Sequence, residues 1–136
     1  MLLLIGLAVL AGLLGSFTDW LFMGVLFHDA YNRYPEIWRP AIAAGKDKTA
    51  VLLSAAIGFV MSFAIVGLCL VAGIAGVAQG VRVALLAWIA GPLAIMAING
   101  LFIKLDPKLV ISHSIGYLLR FVLAGIAAGL ALPLKP

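Results

Sequence analysis

Few residues in this 136-residue chain can do chemistry, and two of them sit where charge is costly. Asp19 lies inside an apolar run from Leu2 to Phe27, and Arg120 lies inside another from Ile111 to Leu132. A carboxylate and a guanidinium in such surroundings suit either a structural ion pair or a proton- or ion-linked site. His113, Tyr117 and Arg120 follow one another at spacings of four and three, so on a helix they share one face. Asn99 lies about one turn from the end of a third apolar run. Asp19, Asn99, Arg120, Tyr117 and His113 are therefore the candidate intramembrane polar site. Together they could line a cleft, or they could simply bond helix to helix.

Other chemistries find little support. His28, Asp29 and His113 are residue types that bind zinc, but no spacing fixes them, and neither His-Glu-x-x-His nor Cys-x-x-Cys occurs. We expect no metal and no cofactor. The chain has no glycine-rich phosphate loop, no nucleophile elbow and no carboxylate pair placed for acid–base work, so a non-catalytic protein is expected. The single cysteine, Cys69, sits in an apolar run and reads as a small buried residue.

The elements that must hold these residues are set by composition. Hydrophobic residues make up 65% of the chain and charged residues only 10%. A soluble domain needs roughly a quarter of its residues charged. The expected solvent is therefore the lipid bilayer, which is the first partner of the chain. Its net charge of +4 is scattered over several connections, which suits membrane orientation and argues against nucleic acid. Four spans are expected, at about 2–27, 49–71, 81–103 and 111–132, in one transmembrane domain covering residues 1–136. Each must be a helix, because lipid offers no partner to a free backbone amide. The fold class is thus an all-α integral membrane protein, a four-helix bundle. The first run has no Lys or Arg before it and no Ala-x-Ala after it, so it is kept as a span, not a cleaved signal.

Orientation follows from the basic residues. Arg33, Arg39, Lys46 and Lys48 lie in the first connection and Lys104 and Lys108 in the third, against Arg82 and Lys135 on the other side. This bias places loops 28–48 and 104–110 in the cytoplasm and both termini opposite, in a bacterial-type cell inner membrane. Asp19 and Arg120 each lie about eight residues inside their spans from that face, or roughly 12 Å deep at 1.5 Å per residue. Two opposite charges at one depth most economically face each other, making the first and fourth spans neighbours in a closed bundle.

An internal echo supports a tandem pair of helical hairpins. SAAIGFVMSF at 54–63 resembles SHSIGYLLRF at 112–121, and Gly15 and Gly24 are spaced like Gly91 and Gly100. In this register Ser62 corresponds to Arg120, Ala55 to His113 and Ile95 to Asp19. Ser54, Gly58 and Ser62 are small residues four apart, a seam for a neighbouring helix or a second copy. Pro92 is expected to kink the third span.

The first connection is the most distinctive stretch. Tyr31, Tyr34 and Trp38 recur at three and four, between charges and prolines. They suggest a short amphipathic segment at headgroup level, rings in the interface and Arg33, Glu36 and Arg39 toward water. His28, Asp29, Tyr31, Tyr34, Trp38 and Arg39 are the candidate interfacial or partner-docking residues.

The order Gly15, Leu26-Phe27, Trp38, four short spans, and a last helix opening near Ser112-His113 with Gly116-Tyr117 resembles a family of small bacterial membrane proteins known as domain of unknown function seventeen sixty-one. The resemblance implies a four-helix inner-membrane protein and assigns no functional residue. The expected role is structural or accessory, through packing with itself as a homo-oligomer or as a subunit of a membrane complex. The alternative is an oligomeric small-solute or ion transporter or channel built on Asp19 and Arg120.

Overall fold

A computed structural model describes residues 2–43 and 48–132. Lys46, Asp47, Lys135 and the terminal stub at 133–136 lie outside the described residues. Four helices are long and apolar enough to cross a membrane: α1 (Leu2–Leu26), α2 (Lys48–Val71), α3 (Val77–Phe102) and α4 (Pro107–Ala131). The fold is all-α, with four helices.

Two helices begin earlier than their apolar runs suggest. For α3, the Gly/Ala turn closes within residues 72–76, where Gly73 takes a left-handed φ of 62°. The Gln79 side chain then accepts from Ala75 N–H at 2.7 Å, so helix starts at Val77 instead of 81. For α4, Asp106 is the cap: its Oδ1 accepts from Lys108 N–H at 2.8 Å, and Pro107 occupies the first turn, so helix starts four residues before Ile111.

The helices do not form an even ring. α4 sits in the middle, packed against α1, α2 and α3, while α2 and α3 barely meet. The sequence of α4 explains its place. Ser112, Ser114, Gly116, Ala124, Gly125, Ala128 and Gly129 are buried on different sides of the helix, so backbones can approach from several directions. Its apolar window also has the lowest mean hydropathy of the four, 1.7 against 2.0 to 2.4. The closest approach is at Gly80 of α3 and Gly125 of α4, where a Cβ on either glycine would collide with the carbonyl oxygen of the other. The half of the molecule beyond Arg120 is dry: Ala8, Ile65, Val66, Cys69, Phe121, Ala124 and Ala128 form its centre.

α1 and α3 each contain a widened, π-helical stretch, at Trp20–Leu26 and Ile89–Leu93. In α3 the cause is Pro92, which lacks an N–H and pushes its ring against the preceding turn. Before that point α3 is clamped to α4. Trp88 Nε1 donates to the Ser114 carbonyl at 2.8 Å, and Gly80 and Ala84 are buried. After it, no residue of Ala94–Phe102 is buried.

Candidate functional site

Arg120 is the largest side chain in the molecule that is almost fully buried, at 1% exposure. It is held by groups on two neighbouring helices. Its Nη2 lies 2.5 Å from Asp19 Oδ2 on α1 and donates to Ser16 Oγ at 3.4 Å. Its Nη1 donates to Ser62 Oγ on α2 at 3.4 Å. The short charged contact dominates, because hydrogen bonds at 3.4 Å are weak. Room for the guanidinium comes from missing side chains. A Cβ on Gly58 would lie 2.6 Å from Nη2, and one on Gly15 would lie 3.0 Å from Arg120 Cγ. The small-residue seam of α2 therefore receives Arg120: Gly58 and Ser62 are buried against it, while Ser54 is exposed and bonds its own helix at Val51.

Asp19 retains some access, with 23% of its side chain exposed against 1% for Arg120. Its second oxygen, Oδ1, is buried beside Gly116 and makes no hydrogen bond within the described residues. From Asp19 toward the loop face, polar and aromatic groups follow. The Tyr117 ring lies 6.2 Å from His113, and His113 Nε2 shares a hydrogen bond with the Tyr31 hydroxyl at 2.7 Å. Buried polar or charged side chains are Ser62, Asp106, Ser112, Ser114 and Arg120, all at the depth of Arg120 or nearer the loops.

Asn99 stands apart from this cluster. It is half-buried on α3, in a groove with Trp38, Met96 and His113, and no contact links it to Asp19 or Arg120. The cleft expected from all five residues is therefore split by α4. Asp19, Arg120 and Tyr117 lie toward α1, Asn99 lies toward α3, and His113 stands between. The stretch Ala94–Phe102 buries none of its residues, so Asn99 stays outside the interior.

The first connection is not a segment with its rings in the interface and its charges turned only to water. It forms two short 3-10 turns, His28–Asn32 and Pro35–Ile37, that fold over the end of α4. Tyr31 and Trp38 stack at 5.1 Å, and Trp38 Nε1 donates to the Tyr31 carbonyl at 2.8 Å. Tyr34 lies under the Lys104 ammonium, 4.6 Å from its ring centre. Arg33 does not point only to water: it pairs with the buried Asp106 at 2.7 Å. Glu36 pairs with Lys104 at 3.0 Å. Pro35 breaks the helical period, and these long-range partners replace the amphipathic pattern. His28, Asp29 and Arg39 remain exposed. Among the described residues no three His, Cys, Asp or Glu side chains converge, so His28, Asp29 and His113 do not meet as a ligand set.

Burial lifts the Tyr31 phenol well above its usual range, with Tyr117 and the Asp19 carboxylate adding to the effect. The Glu36 carboxyl is lowered by its own backbone amide and by the Lys104 ammonium.

No protein-family model, curated protein or solved structure matches the chain.

Proposed function

We propose that the chain is a small integral protein of the cytoplasmic membrane, with loops 28–48 and 104–110 on the cytoplasmic side. In this reading it acts without catalysis, by packing against copies of itself or against subunits of a membrane complex. The observation that carries this is the contrast between α4 and α3. More than half of the apolar window of α4 is buried inside the chain, against 6% of that of α3. One helix is thus an internal post, and another, clamped to it over its first half, offers its second half outward. Its outward surface includes Gly91, with open space around its Cα, so a neighbouring helix can approach closely there. The Asp19–Arg120 pair serves this role by fixing α1 and α2 on the post. The basic bias of the two connections supports the orientation.

A transporter or channel built on Asp19 and Arg120 is the second reading. The partial exposure of Asp19 and the Tyr31–His113 contact favour it on the loop side. The dry centre beyond Arg120 opposes a path through one copy, so this reading requires an oligomer.

Gentle purification of the tagged chain from membranes tests the proposal. The expected result is a homo-oligomer or stoichiometric foreign subunits by mass spectrometry. A monomer that recovers alone and conducts ions when reconstituted would overturn it.

A further inference from the structure

A groove of about 310 Å³ runs between the second half of α3 and the start of α4, roofed by Trp38. Ile103 and Leu109 are among its apolar walls, with Met96 on the α3 side. Two polar groups interrupt it: the His113 ring, whose Nε2 is engaged by Tyr31, and the Asn99 carboxamide. Among the described residues the Asn99 backbone carbonyl accepts from Ile103 N–H, but its side-chain amide has no hydrogen-bond partner. A half-buried amide without a partner is costly where water is scarce, and its two donors select for an acceptor.

Depth identifies that acceptor. Asn99 lies three residues before Phe102, the end of α3, hence roughly 4–5 Å inside it at 1.5 Å per residue. That is where hydrocarbon gives way to the polar interface of a bilayer, and where the ester carbonyls of a phospholipid lie. Charge identifies the headgroup. Arg39 follows Trp38 directly, is exposed, and has no ion pair among the described residues, whereas Lys104 beyond Ile103 is already matched by Glu36.

We propose that this groove holds one acyl chain of an anionic phospholipid, with Asn99 donating to its ester carbonyl and Arg39 meeting its phosphate. The site is a half-open slot: it grips one chain and leaves the rest of the lipid in the bilayer. The inference rests on the chain spanning a membrane, as proposed above.

The test uses the full chain, stripped of lipid in a non-ionic maltoside detergent, and titrated with phosphatidylglycerol or with phosphatidylcholine of the same acyl chains. Native mass spectrometry counts adducts, and thermal unfolding reads stabilisation. Wild type should retain phosphatidylglycerol several-fold better than phosphatidylcholine and gain Tm from it. Arg39→Gln should lose that preference, and Asn99→Leu should retain both lipids less well, each keeping the lipid-free Tm. Met96→Trp, which fills the slot, should lose the adduct altogether. Equal retention of the two lipids, or undiminished binding by Asn99→Leu, overturns the proposal. So does cross-linking of two copies through Asn99→Cys in a Cys69→Ser background, which would show a second copy in the groove. A protein absent from the membrane fraction would instead sink the reading on which this one rests.

Discussion

Gly58 of α2 and Arg120 of α4 meet so closely that a Cβ on the glycine would lie 2.7 Å from the guanidinium carbon. The charge is therefore seated in a notch made by an absent side chain. Gly58→Val should force the guanidinium off Asp19, costing about 1–3 kcal/mol by overpacking. The same substitution in an Arg120→Ala background should cost much less, because the notch is then empty. Chemical unfolding in detergent of the four proteins checks this, and equal costs in both backgrounds would show that Gly58 does not serve Arg120.

Breaking the pair itself should be worse than deleting it. Asp19→Ala or Arg120→Ala alone leaves a buried charge without its partner, and such losses are about 3–5 kcal/mol. The double variant should lose less than the sum of the two. Additive losses of detergent stability would mean the two charges do not act on each other.

Tyr31→Phe should release the first connection without unfolding the helices. The lost hydrogen bond to His113 is a local contribution of about 0.5–1.5 kcal/mol. Trypsin cleavage after Arg33 should then accelerate, with the Tm nearly unchanged. Unaltered cleavage would show that the ring stacking and the Arg33 and Glu36 ion pairs hold the loop without the hydroxyl.

Stability should also fall in alkali through this residue. Folding raises the Tyr31 pKa, so its contribution is complete below the ordinary phenol pKa of about 10 and is lost as pH climbs above it. Unfolding midpoints measured from neutral pH to about 11 should drop more steeply for wild type than for Tyr31→Phe. Glu36 works in the other direction. Its pKa is lowered on folding, so its contribution is present above the ordinary carboxyl pKa of about 4.3 and disappears as pH falls through the folded value. Because Glu36 is on the surface, Glu36→Gln should change the acid limb only slightly.

Much of this arrangement is legible in the residues. Run length and hydropathy give four helices, and equal depth from one face brings Asp19 to Arg120. What stays hidden is which helix is central. The signal lies in the Ser, Gly and Ala residues of α4 and in its lower hydropathy, but small residues also recur at close spacing on α1 and α2, so they do not single out one helix. Asn99 shows a related limit. Shared depth places a residue along the membrane normal but not around the helix axis, and Asn99 lies in the groove with Trp38 and Met96. The first connection shows a third limit: its rings have helical spacing, yet Tyr31 meets a partner 82 residues away, and no local pattern contains that contact.

Asp106 holds two things at once. It caps the first turn of α4 through Lys108 N–H and ties down Arg33 of the first connection. The connection is therefore a handle fastened to the central post. Anything that grips it from outside and lifts Arg33 away tugs on the very residue that keeps the post's first turn wound.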